Sequence, residues 1–137
     1  MKNLVFIFLT FLLFTGCKSN ETEKVVITDG VYITDFPMHG LENLKHYLKF
    51  NNDSTVFSLS SPFGLDSARK VLMSTSRNVG RGTFTLVDDS LKFQTRTQSG
   101  VVLYKGIIKH NEKLILNIKS LINGHEFHKK EFIFQAY

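Results

Sequence analysis

The chain has a single cysteine, Cys17, among its 137 residues. An intramolecular disulfide is therefore excluded, and the fold has to be held together by its apolar core. No Cys and His spacing typical of a zinc site is present, and His125 and His128 would point to opposite faces of a strand. The sequence therefore predicts neither a metal ion nor another cofactor.

Motifs of catalysis and nucleotide binding are also missing. The nucleophile elbow G-x-S-x-G, the dinucleotide-binding glycine pattern and the phosphate-binding loop are all absent. Ser67 and Lys70 match S-x-x-K, but the accompanying S-D-N and K-T-G elements do not occur, and Ser67 fits the start of a helix. We therefore expect a protein that binds rather than an enzyme.

The basic residues form no block, although the chain carries 17 Lys and Arg against 12 Asp and Glu. They are scattered, and most alternate with apolar neighbours, which is typical of the solvated face of a sheet. The lack of a basic cluster argues against a nucleic-acid partner.

A long apolar run lies near the N-terminus, where residues 4–14 read LVFIFLTFLLF after Lys2. This run is too short for a transmembrane helix, which needs ~20 residues, and it is typical of a signal-peptide core. The next residues, 14–17, read FTGC and resemble the lipobox of bacterial lipoproteins. The resemblance implies a signal peptide over residues 1–16, a diacylglycerol on the Cys17 thiol and, after cleavage, acylation of the Cys17 amine.

The residues after Cys17 are polar, so residues 17–24 are predicted to form a lipidated tether. Lys18 occupies the position where Asp can signal retention in the inner membrane of some bacteria. The outer membrane is therefore the expected location, with the orientation left open. Residues 25–137 are long enough for one domain with a core of its own.

From residue 25 onward, apolar residues recur with a period of two, which is typical of strands. Eight such segments are separated by turn-forming residues, and short loops join the last five, which favours antiparallel neighbours. The predicted strands cover residues 25–34, 46–52, 55–61, 82–88, 90–97, 100–109, 113–122 and 125–136. Because closure removes exposed sheet edges, we predict an all-β, eight-stranded, antiparallel up-and-down meander barrel.

The long connection over residues 61–81 carries Leu65, Ala68 and Leu72 at helical spacing. This spacing predicts one short helix over residues 66–74, between the third and fourth strands, with Asp66 or Ser67 at its start. We expect this connection to be mobile and to serve as a lid if the barrel has a mouth.

Gly30 and Tyr32 lie on the first predicted strand. This G-x-Y resembles the G-x-W motif of lipocalins and related calycins, and the strand count also matches. The resemblance implies that Tyr32 closes one end of the barrel. It also implies a cation from the last strand packed on this ring, for which Lys129 and Lys130 are the candidates.

Nearly every predicted strand carries an aromatic residue, so the barrel interior is rich in rings. The predicted interior residues, which are the candidate ligand-binding residues, are Tyr32, Phe50, Phe57, Phe84, Phe93, Tyr104 and Leu116. In one hypothesis they line a cavity, and the barrel binds an apolar small molecule or a protein partner. In the other they fill a solid core, and the loops act as an inhibitor or as part of an envelope complex. A bulge at residues 129–130 would shift the face assignment in the last strand.

Overall fold

A computed structural model describes residues 22–137. Its elements are β1 (Gly30–Asp35), β2 (Lys45–Phe50), β3 (Thr55–Ser61), α1 (Leu65–Leu72), β4 (Gly80–Val87), β5 (Ser90–Thr97), β6 (Gly100–His110), β7 (Lys113–Ser120) and β8 (Glu126–Ala136). Each strand pairs with its sequence neighbour in antiparallel register, and β8 pairs with β1, so the sheet closes into a barrel. The predicted eight-stranded meander barrel with one short helix after the third strand is confirmed.

Side-chain alternation separates the two faces of the barrel wall. On β5, Leu91, Phe93 and Thr95 are buried, and the residues between them are exposed. Successive side chains of a strand point to opposite faces, so the buried set points into the barrel. The first strand departs from prediction, because it begins at Gly30 rather than at residue 25.

The segment over residues 22–29 crosses one end of the barrel, which we call the closed end. The backbone N–H of Ile27 donates to the Tyr32 hydroxyl (2.9 Å), which itself donates to the carbonyl of Asn111 (2.5 Å). Val26 and Ile27 pack against the interior side chains. Tyr32 therefore closes this end by holding the N-terminal segment across it.

The apolar residues form two clusters, one inside the barrel and one outside. The interior cluster comprises Tyr32, Leu48, Phe50, Val56, Leu91, Phe93, Tyr104, Ile108, Leu114, Leu116, Ile118 and Phe132. The outer cluster joins α1 to the outer face of β1–β3 through Val31, Tyr47, Leu59, Ala68, Leu72 and Val79. Both clusters and all eight strands of the closed barrel lie within residues 22–137, so we expect this part of the chain to fold on its own.

Helix α1 lies on the outer wall and not over an end of the barrel. Its buried side, Ala68 and Leu72, packs into the outer cluster, so the prediction that this connection forms a lid is wrong. Gly64 precedes the first turn without a side-chain cap, so neither Asp66 nor Ser67 caps the helix as predicted. Within residues 22–137, no helix has the length and apolar character needed to cross a membrane.

Arg81 fastens the connection between α1 and β4 to the barrel wall. Its guanidinium donates to the carbonyls of Ser74 (2.6 Å), Ser76 (3.1 Å) and Val79 (3.1 Å) and lies 5.4 Å from the centre of the Phe57 ring. Phe57 therefore belongs to the outer surface and packs against the outer cluster. The prediction that it faces the interior is wrong.

The last strand contains a bulge at Lys129, one of the two positions where a bulge would shift the face assignment. Lys129 has a φ of 51°, and its N–H donates to Asn117 Oδ1 (2.9 Å). The bulge turns Phe127 towards the interior cluster. The ammonium group of Lys130 lies over the ring of Phe36, at 5.8 Å, so the expectation that it packs on Tyr32 is wrong.

Candidate functional site

Most of the barrel interior is filled by its own side chains. Phe93 stacks on Tyr104 with ring centres 4.4 Å apart, and Phe50 meets Phe93 edge-on at 5.4 Å and Tyr32 at 5.6 Å. Phe50, Tyr32 and Leu116 are fully buried. Such interdigitated rings stabilise the barrel as a solid core through most of its length.

Six of the seven predicted interior residues belong to the interior cluster or pack against it: Tyr32, Phe50, Phe84, Phe93, Tyr104 and Leu116. Phe57 lies outside, as described above. Of these six residues, Tyr104 also lines a cavity.

This cavity, which we call the mouth pocket, opens at the end of the barrel opposite the N-terminal segment. It has a volume of about 160 Å³ and is lined by Phe36, Met38, His46, Ser60, Val102, Tyr104, Ile118, Ser120, Asn123, His125 and Phe127. A cavity of ~150 Å³ accommodates a benzene-sized group, and drug-sized ligands occupy roughly 300 Å³ or more. The mouth pocket therefore has room for one ring or one short aliphatic group.

Aromatic rings from four parts of the chain form the walls of the mouth pocket. Phe36, in the loop between β1 and β2, packs against Phe127 of β8 with ring centres 4.2 Å apart. Its other neighbour is the His46 ring at 5.2 Å, which stacks on Tyr104 at 5.8 Å. The Lys130 ammonium lies over Phe36 and donates to a backbone carbonyl of β1 (3.0 Å), so it holds this wall in place.

The floor of the mouth pocket is polar and is organised around His46. Its Nδ1 lies 2.7 Å from Ser60 Oγ, and its Nε2 lies 2.9 Å from Tyr104 Oη. Burial lowers the pKa of His46 to about 4, so the ring is neutral at neutral pH. A neutral imidazole has one donor and one acceptor nitrogen, and both are engaged here. Ser60 is exposed, as are the lining residues Asn123 and His125, so its hydroxyl is one of the polar groups that a ligand in the pocket can reach.

A second layer of hydroxyl groups lies beneath this floor. Ser58 Oγ donates to Thr95 Oγ1 (2.8 Å), and both residues are buried. Burial raises the pKa of the Tyr104 phenol to about 12, although hydrogen bonds with Thr95 and Ser58 act in the opposite direction. Gly80 leaves space for this pair, because a Cβ at that position would overlap Ser58 Oγ. Within residues 22–137 every buried side-chain nitrogen and oxygen has a hydrogen-bond partner.

Of the eleven residues that line the mouth pocket, sequence reasoning placed only Tyr104 in the interior; Phe36, His46, Ser60 and Phe127 are among those it missed. A signal for His46 was present, because it lies four residues before the interior residue Phe50 and therefore shares its face. Phe36 lies in a loop, where no periodicity indicates a face.

Metal binding finds no support in the described part of the chain. No group of three or more His, Cys, Asp or Glu side chains comes close enough together there to hold an ion. The lipidation site predicted at Cys17 lies outside the described residues.

No known protein family, curated protein or solved structure matches this chain.

Proposed function

We propose that this protein is a lipid-anchored binding protein of the bacterial cell envelope, located at the outer membrane. Its mouth pocket holds one ring-sized apolar group, carried by a small molecule or presented by a protein partner. The observation that supports this proposal is the pocket itself, which combines aromatic walls with the reachable hydroxyl of Ser60 at its floor. Apolar walls with a few placed polar groups are typical of ligand sites.

The solid core favours binding at the mouth over the carriage of a whole lipid inside the barrel. The stacked pair of Phe93 and Tyr104 lies directly below the pocket floor and fills the space that a long ligand would need. The hypothesis of a solid barrel acting at its loops therefore receives more support than that of a ligand carrier.

Binding is also better supported than catalysis. Ser60 and His46 lie at the distance of a nucleophile and its base. The second nitrogen of His46 faces the Tyr104 hydroxyl rather than a carboxylate, and a pKa of about 4 makes the ring a weak base at neutral pH. We therefore assign His46 the role of positioning Ser60 in the pocket.

The first described residues of the chain and the mouth pocket lie at opposite ends of the barrel. The N-terminal segment crosses the closed end, where Lys24 lies 3.6 Å from Asp89. A lipid on Cys17 would therefore hold the closed end towards the membrane. Such an arrangement leaves the mouth accessible to its ligand.

We expect the Cys17→Ser variant of the full chain to lose its membrane attachment, because the thiol is the proposed acceptor of the diacylglycerol. The measurement is fractionation of a Gram-negative host with metabolic labelling by a fatty acid. Ser19→Ala serves as the control and should keep both label and membrane location. An unlabelled wild type that fractionates like Cys17→Ser would show that no anchor is attached.

A ring-sized probe such as p-cresol should bind the wild-type barrel, and the Ser120→Phe variant should lose this binding. Ser120 lines the mouth pocket, so the added ring would occupy the space that the probe needs. Ser90→Phe is the matched control, because it adds the same ring on the exposed outer wall at the closed end. Ligand-detected NMR gives the comparison. Equal binding by both variants would refute a site at the mouth.

A further inference from the structure

The outer wall formed by β4–β7 collects basic residues that are scattered in the sequence. Antiparallel register puts Lys92 directly opposite Lys105, and it puts Arg81 directly opposite Arg96. These four strands contain no Asp or Glu, because the acidic residues between Gly80 and Ser120 all lie in turns. The wall therefore carries positive charge with no negative side chain on its strands.

Like charges placed directly opposite each other across two strands oppose folding. Arg81 is engaged with the backbone carbonyls described above. Lys92 and Lys105 are both exposed, and neither forms an ion pair within residues 22–137. An anionic partner outside the chain would relieve the repulsion between them.

The next outward-facing row of this wall, two residues nearer the closed end, places Ser90 between two exposed apolar residues. It includes Val87 and Ile107, whose side chains are 68% and 42% exposed. Lys109 continues the wall beyond this row and is also exposed. We name Val87, Lys92, Lys105, Ile107 and Lys109 together the basic face. Exposed apolar side chains flanked by lysines are typical of surfaces that bind anionic membranes.

We propose that the basic face lies against an anionic membrane surface, with lipid phosphates between its lysines. The position of the N-terminal segment favours a membrane over other anionic partners, because Lys24 contacts Asp89 in the turn beside Val87. Cys17 precedes Thr22 by five residues, so an extended chain separates the two by ~17 Å at most. This choice of partner rests on the lipid anchor proposed above, which would keep the basic face within reach of the bilayer.

The test uses residues 22–137, which contain the whole barrel and no lipid. Cosedimentation with phosphatidylcholine vesicles, with and without phosphatidylglycerol, should show binding only when phosphatidylglycerol is present, and added salt should weaken it. Each lysine near an anionic surface contributes about a fivefold increase in partitioning, so Lys92→Glu with Lys105→Glu should lower binding by at least about 25-fold, the loss expected from removing the two positive charges alone. The matched control is Lys70→Glu with Arg77→Glu, which removes the same charge from the helix side and should bind like the wild type.

Equal binding to both kinds of vesicle would overturn the proposal, and so would equal losses in the two charge-reversed variants. Absence of vesicle binding would also overturn it and would leave an acidic protein surface as the partner of the basic face. Circular dichroism verifies that every variant is folded. The assay contains no Cys17, so its result is independent of whether the full chain is lipidated in cells.

Discussion

Replacing Phe93 by alanine is expected to lower the free energy of unfolding by about 3–5 kcal/mol, the usual cost of deleting a large buried ring. Phe93 is 5% exposed, stacks on Tyr104 and meets Phe50 edge-on. The total stability of a small domain is about 5–15 kcal/mol, so the substitution would remove a large fraction of it, and a domain near the lower end of this range would be largely unfolded. Urea denaturation of residues 22–137 measures the difference.

Phe63→Ala is the matched control, because it deletes the same ring from a side chain that is 68% exposed. It should change the free energy of unfolding by less than about 0.5 kcal/mol. If Phe93→Ala lowered the free energy of unfolding as little as this control does, the interior side chains would not be tightly packed. The description of a solid core would then be wrong.

The free energy of unfolding should also fall as the pH is lowered from about 6.5 to about 4, because His46 is buried in its neutral form. The ordinary pKa of histidine is 6.5, and burial lowers the pKa of His46 to about 4. Between these values the unfolded chain binds a proton that the folded chain does not, so stability is full above pH 6.5 and decreases as the pH falls. The full difference corresponds to ~3 kcal/mol.

His46→Gln isolates this contribution, because glutamine keeps hydrogen-bonding groups without titrating in this range. The described groups that face His46 are Ser60, Tyr104 and the rings of Phe36 and Phe132, and Tyr104 has a pKa of about 12. Carboxylates such as Asp35, whose pKa is lowered by Lys45, lose their contribution at lower pH in both proteins. If the free energy of unfolding fell by the same amount in the wild type and in His46→Gln between pH 6.5 and 4, this result would contradict a buried neutral His46.

The architecture could be predicted from the sequence because period-two alternation and turn residues act locally. The interior positions followed from the same alternation where polar residues separate apolar ones, as around Phe93. Phe57 shows the limit of this argument. Its neighbour Ser58 points inward because Thr95 supplies a hydrogen bond inside the barrel, and Arg81 covers Phe57 outside. These contacts are distant in sequence, and alternation alone gives no sign of them.

The mouth pocket was harder to predict than the core. Phe36 reaches it from an irregular loop, and the bulge at Lys129 turns Phe127 towards the interior. The pairing of His46 with Ser60 and Tyr104 depends on register across β2, β3 and β6, which the sequence does not specify. The basic face could not be predicted either, because Lys92 and Lys105 become neighbours only through the register of β5 and β6.

The most direct test of the central claim is an NMR titration of residues 22–137, labelled with ¹⁵N, first with p-cresol and then with a long-chain fatty acid. The binding of one ring-sized group at the mouth predicts that p-cresol shifts amide signals of mouth-pocket residues such as His46, Ser60 and Ser120. Leu48 and Leu116, deeper in the barrel, should stay unchanged with both ligands. Shifts that run through Leu48 and Leu116 to Tyr32 on addition of the fatty acid would contradict the solid core and would establish a carrier of long apolar ligands.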